Sequence, residues 1–170
     1  MGAGKAMILR PGILDPHSFA PFGSARRLSG GVSVNENRGR RIDLEAQLQH
    51  DAEARRAALA LYRMEPSAAP VSVAFFERHP CSAQLFVAPP SARFLLVVAP
   101  DGDASEPDPA RALAFLGEGD WEIIYHKGVW HFPLIALGAS TDFTMMMWQT
   151  GDRRDCECRN LAAPLFVHVP

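Results

Sequence analysis

Beyond Pro66 the chain alternates short apolar runs with turn residues. "VSVAFF", "AQLFVA", "RFLLVVAP", "RALAFL", "WEIIYH", "PLIALG", "DFTMMMWQ" and "PLFVHV" follow one another, punctuated by prolines and glycines as in "APPS" and "GEGD". Short runs rich in β-branched and aromatic residues, bounded by Gly, Pro and Asp, predict strands. No helical pattern separates them, so this region predicts an all-β sandwich or barrel rather than βαβ units.

Ahead of Pro66 the pattern is mixed. In "LDPHSFAPFG", Asp15 suits a helix cap, Pro16 the first helical position and Gly23 the exit. A short surface helix follows, with Phe19 and Phe22 pinning it to the body. Arg26 to Arg41 mixes glycine, asparagine and arginine without clear period and predicts loops and a short hairpin. From Asp43 to Leu61 the chain is rich in Ala, Glu, Gln and Arg, strong helix formers. Leu44, Leu48 and Ala52 mark one face at helical spacing, so a helix is expected there. The end of this run also suits a strand around "LALYRMEP".

Composition narrows the class. At 170 residues the chain suits one domain spanning 1–170 with a full core. A formal net charge of −2 argues against a nucleic-acid partner, which usually meets a basic face. The longest apolar run, Phe94 to Ala99, is strand-sized and far short of the roughly eighteen residues that cross a bilayer. The first residues hold no apolar stretch long enough for a signal peptide, so a cytoplasmic protein with no membrane partner is expected. The three cysteines include a Cys156-x-Cys158 pair, but Cys81 alone supplies no second pair for a structural zinc site. Reduced thiols are the expectation, although Arg153, Arg154 and Arg159 could lower a thiol pKa.

The chemistry concentrates in two stretches. In "FFERHPCSAQLF", Glu77 and His79 are two apart on an extended strand and project to one face. Gln84 lies beyond the Pro80 turn and can fold back towards them. In "YHKGVWHFPL", Tyr125 and His126 precede Gly128, and His131 follows that glycine at three residues. A lone strand histidine is usually a hydrogen-bonded, half-buried residue. Two spaced motifs in order, inside an all-β pattern, point instead to a site. They resemble the two halves of a cupin metal centre. The first half is degenerate, with Glu77-x-His79 and then Gln84 in place of an acid; the second, Gly128-Val-Trp-His131, is intact. Imidazole suits several first-row divalent metals and a carboxamide is a weak ligand, so His79, Gln84, His131 and Glu77 would hold a labile ion. Positions would remain open for a small anionic, oxygen-rich substrate.

The sequence also resembles the bacterial ureidoglycolate lyase family. "FAPFGSA", "LYRMEP", "FERHPCSAQLFV", "FLLVVAP", "ALAFLGEGDWEIIYHKGVWHFPLIAL", "TDF" and Cys156 occur in the family's order, covering most of the chain. The resemblance implies an all-β, cupin-like double-stranded β-helix (jelly-roll) barrel with a few short helices, usually a homodimer. It implies a carbon–nitrogen lyase of the amidine-lyase type that eliminates urea from ureidoglycolate, leaving glyoxylate, in allantoin breakdown. A divalent metal, nickel or manganese, is the expected cofactor. His131, His126 and Tyr125 are candidate proton-transfer groups, though His126 equally suits a bracing role in its turn. Arg63 is a candidate clamp for the substrate carboxylate, or else a surface arginine. Arg78 and Lys127, beside the two motifs, are further candidate substrate-binding cations.

Three departures stand out. The family commonly has "WHHP" where this chain has Trp130-His131-Phe132-Pro133, and Ser or Thr where Ala83 stands. The strand after "TDF" often carries an Asp-Arg pair, aligned here with Met147 and Trp148. That change removes either a substrate contact or a structural ion pair, and swapping a buried pair for apolar residues can be neutral. Alternatives are therefore a divergent cupin acting on another small hydroxy or keto acid, or a binding protein without turnover.

Overall fold

The computed structural model describes residues 7–44 and 48–169. Its elements run β1 (Met7–Leu9), β2 (Gly12–Ile13), α1 (Pro16–Phe19), β3 (Gly23–Arg27), β4 (Val32–Val34) and β5 (Gly39–Arg41). Then come β6 (Arg56–Met64), β7 (Val71–Arg78), β8 (Gln84–Ala88), β9 (Arg93–Ala99) and β10 (Leu113–Glu118). The chain finishes with β11 (Trp121–Tyr125), β12 (Trp130–Ala136), β13 (Thr141–Gln149) and β14 (Glu157–Val167). Among the described residues, the helical pieces beyond α1 are three short 3₁₀ turns.

Two mostly antiparallel sheets enclose the core. The larger has the order β1-β14-β7-β12-β9-β10-β2 and the smaller β3-β11-β8-β13-β6, while β4 and β5 form a separate hairpin. The sheets form the cupin-like all-β barrel that the sequence implies. β9 shows how period-two alternation builds it. Phe94, Leu96 and Val98 project between the sheets, against Phe86, Ile123, Phe143 and Met145 of the smaller sheet. Leu95, Val97 and Ala99 project to the other face, into a second cluster with Val73, Trp130 and Ile135. A strand buried on both faces reads as an unbroken apolar run, hence "FLLVVA".

The start of the chain behaves as its signals predict. Asp15 caps α1 by accepting from the backbone N–H of His17 and Ser18, and Pro16 opens the helix. Phe19 and Phe22 are buried, and Phe19 packs edge-on to Phe115. Gly23 starts β3 because nothing larger fits: a Cβ there would lie 1.8 Å from the Ile124 carbonyl oxygen. The expected hairpin within 26–41 is present as β4–β5.

The helix expected from Asp43 to Leu61 does not form. Residues 45–47 lie outside the described residues, Leu48–Arg55 is not helical, and Arg56 onward is β6. Leu48 is buried while Leu44 and Ala52 are exposed, so no common face exists. Helical propensity is worth only tenths of a kcal/mol per residue, and here a nine-residue antiparallel pairing with β13 overrides it. In β6, Ala58 and Ala60 turn inward against the core while Leu59 and Leu61 face out. No helix among the described residues is long and apolar enough to cross a membrane.

Candidate active site

The site lies between the two sheets at one end of the barrel, in an open cavity of about 340 Å³. Its walls come from both. On the larger sheet, Glu77 near the end of β7 stands directly opposite His131 of β12, and His79 follows two residues on. On the smaller sheet, Gln84 opens β8 between Tyr125 of β11 and Met147 of β13. Glu77, His79, Gln84, His131 and Met147 all line the cavity. The two motifs of the sequence thus meet, although they lie remote along the chain.

Each imidazole is held at one nitrogen and free at the other. His131 Nδ1 is 2.9 Å from the Val129 carbonyl oxygen, and His79 Nδ1 is 2.7 Å from that of Asp155. A carbonyl only accepts, so each Nδ1 carries a hydrogen, which leaves Nε2 as the atom each ring offers to a ligand. Both Nε2 atoms are buried and have no hydrogen-bond partner among the described residues, and Gln84 Oε1 is a third such atom. Burial, with His79 nearby, pulls the His131 pKa down to about 3, so this ring is neutral. Tyr125 stacks on it at 4.3 Å between centroids and 11° between planes, and the buried phenol has its pKa raised. Glu77 Oε1 stands 3.7 Å from His131 Nε2, and burial raises the Glu77 pKa.

This arrangement fits a cation. Ligand atoms of Glu77, His79 and His131 lie within 4.8 Å of one another. Buried acceptors facing each other without a hydrogen between them are costly unless something positive or hydrogen-donating joins them. Two imidazoles, one carboxylate and a carboxamide oxygen suit a divalent first-row ion. Gly128 makes the approach possible: at φ +78° it occupies the left-handed region in the turn that delivers β12. The Gly-x-x-His spacing is this turn followed by a strand residue.

A model of the ureidoglycolate lyase family matches residues 6–168. The chain belongs to the ureidoglycolate lyase family. A ureidoglycolate lyase of Burkholderia mallei (strain NCTC 10229) is 35% identical over 165 residues, covering 96% of this chain and 94% of that one. That of Burkholderia cepacia is 39% identical over 143 residues, covering 82% and 78%. That of Azotobacter vinelandii is 34% identical over 146 residues, covering 85% and 86%.

Four candidates from the sequence do not reach this ureidoglycolate lyase cavity. Arg63 Nε and Nη2 donate to the two carboxylate oxygens of Asp142 at 2.8 and 2.9 Å, on the outer face of β6. Alternation explains it, since Tyr62 and Met64 line the cavity and the residue between them must point away. Arg78 is held by Glu157 at 2.8 Å and lies over the Trp130 ring at 4.4 Å. Lys127 pairs with Asp51 outside the cavity. His126 is exposed and does not line the cavity, and its backbone N–H donates to the Phe22 carbonyl.

Tyr62, Phe86 and Asp155 border the cavity and escaped sequence reasoning, and Cys156, noted there only as a thiol and a family match, borders it too. Tyr62 was recoverable from the alternation of "LYRM"; the Asp155 backbone contact carries no sequence signal. The Met147–Trp148 departure now separates into two. Met147 is buried in the cavity wall with its sulfur 3.9 Å from Gln84 Nε2. Trp148 points to the other face of β13, where it stacks on His50 at 4.7 Å. Neighbours on opposite faces of a strand do not meet, so only Met147 alters the cavity.

Proposed function

We propose that this chain is a carbon–nitrogen lyase of the amidine-lyase type that splits ureidoglycolate into glyoxylate and urea in allantoin breakdown. The observation that carries the reading is the convergence of three unpartnered buried acceptors, His79 Nε2, His131 Nε2 and Gln84 Oε1, on one cavity of a family member. The substrate carbon bears a hydroxyl, a carboxylate and a ureido nitrogen. As the C–N bond breaks, the hydroxyl loses its proton to become the aldehyde oxygen, and the departing nitrogen gains one. Overall the proton moves from oxygen to nitrogen, so the products balance without a redox partner.

His79, His131, Glu77 and Gln84 would hold a divalent ion, nickel or manganese being the candidates. Such an ion supplies Lewis acidity, lowering the pKa of a hydroxyl bound to it. The chain's own residues supply the rest. Tyr125 fixes the His131 ring plane by stacking, and the Val129 carbonyl fixes its tautomer. Glu77 Oε1, 3.7 Å from His131 Nε2, supplies the one carboxylate of the set, and burial raises its pKa. Phe86, Leu134 and Phe143 supply an apolar wall beside these polar groups.

Purified protein incubated with ureidoglycolate should release glyoxylate and urea in equal amounts, faster with added nickel or manganese and slower after chelation. Metal-replete protein that yields neither product overturns the reading. Apolar Met147 in the wall favours one alternative, a lyase for a related hydroxy or keto acid; a thermal-shift panel of such acids separates the two. Because Arg63 is a solvent-screened surface pair, Arg63→Ala should keep kcat/KM within about twofold of wild type, a negligible change in barrier. A loss beyond tenfold in steady-state kinetics would return Arg63 to the site.

A further inference from the structure

Glu77 is shared between two groups of donors. β7 lies between β12 and β14, and Glu77 stands opposite His131 on one side and opposite Cys158 on the other. The three residues form one cross-strand row on a single sheet face. Its Oε1 faces His131 Nε2 at 3.7 Å, and Oε2 lies 3.9 Å from Cys156 Sγ. Cys156 and Cys158, two apart on that strand, bring their sulfurs to 3.8 Å. The two sulfurs and a Glu77 oxygen all lie within 4.8 Å of one another. Both cysteines are exposed, and Cys156 borders the cavity rim.

We propose that Cys156, Cys158 and Glu77 form a second cation site at the cavity rim, selective for thiophilic ions such as cadmium or zinc. Two sulfurs and one carboxylate oxygen form the three-ligand, open-position set that zinc and cadmium accept and that manganese does not favour. The nearby guanidiniums do not oppose it: Arg78 is committed to Glu157, Arg154 to Asp152 and Arg159 to Glu106. Without an ion, desolvation at the cavity wall and the Glu77 charge push the Cys156 thiol up to about 12. Binding therefore releases thiol protons. Because one carboxylate serves both groups, an ion on the sulfur side draws Glu77 towards the rim and away from the imidazoles. Resting on the activity proposed above, this makes the rim site inhibitory.

The test titrates cadmium chloride into reduced full-length protein kept in excess manganese, following thiolate-to-cadmium ultraviolet absorption and heat of binding. One cadmium per chain with that absorption is expected, and Cys158→Ser should bind it at least about tenfold more weakly. His131→Gln should retain the absorption. Binding without thiolate absorption, or equal affinity in Cys158→Ser, overturns the site. Turnover of wild-type protein should fall as cadmium fills the site while Cys158→Ser, equally active without cadmium, resists. Full occupancy with unchanged turnover overturns the inhibitory link alone. If the chain does not turn over ureidoglycolate at all, absorption and heat still read the site.

Discussion

Replacing His131 by alanine is expected to lower kcat/KM for ureidoglycolate by about 10²–10⁴-fold, the range for removing a positioned proton-transfer or ligand group. The ring is 2% exposed, and its Nε2 makes no hydrogen bond among the described residues and faces the cavity. Everything around it serves to aim that atom: Tyr125 stacks on one face, Val129 fixes the hydrogen on Nδ1, and Glu77 stands opposite. The same packing makes alanine costly for the fold. It empties space beneath Tyr125 and strands the Val129 carbonyl, together about 2–4 kcal/mol. His131→Gln fills most of that space and separates the two effects. It should keep a cooperative melt near wild type yet lose most of the turnover. Calorimetry should show nickel or manganese binding at least about tenfold weaker in both variants. A folded variant that keeps turnover within about twofold removes His131 from the mechanism.

The fold was legible wherever a strand is buried, as an unbroken apolar run in β9 and β11 and as period two in β13. β9, β11 and β13 read directly, as did the Asp15-Pro16 start of α1. β6 was obscured because its inward residues are Ala58 and Ala60, small enough to look helical, while Leu59 and Leu61 sit outside on an edge strand. The site was legible in its histidines, since Gly128 must precede His131 for the turn to aim it. The cationic candidates were not, because a charge in a sequence says nothing of its partner. Arg63, Arg78 and Lys127 are each neutralised by an acid far along the chain, at Asp142, Glu157 and Asp51. The cysteine pair needed the register between β14 and β7, which no local pattern encodes.

Met147→Asp is expected to destabilise metal-free protein by about 2–4 kcal/mol, since it places a carboxyl group in a buried wall. Met147 is 3% exposed, with Gln84 and Ala58 opposite it on the neighbouring strands. The Gln84 amide is the one donor already directed at this position, which offsets only part of the desolvation. Added nickel or manganese should then stabilise the variant more than wild type, because a new carboxylate joins the imidazoles around the cavity. Tenfold tighter binding would appear as about 1.4 kcal/mol of extra stabilisation at saturating ion, read as a larger rise in melting temperature. Trp148→Arg, on the outer face against His50, should cost far less and leave ion binding unchanged. The pair also tests the placement of β13. With side chains on opposite faces and no common partner, the double variant should equal the sum of the singles within about 0.5 kcal/mol. A double variant rescued well beyond that sum would mean the introduced Asp and Arg meet, which this strand forbids.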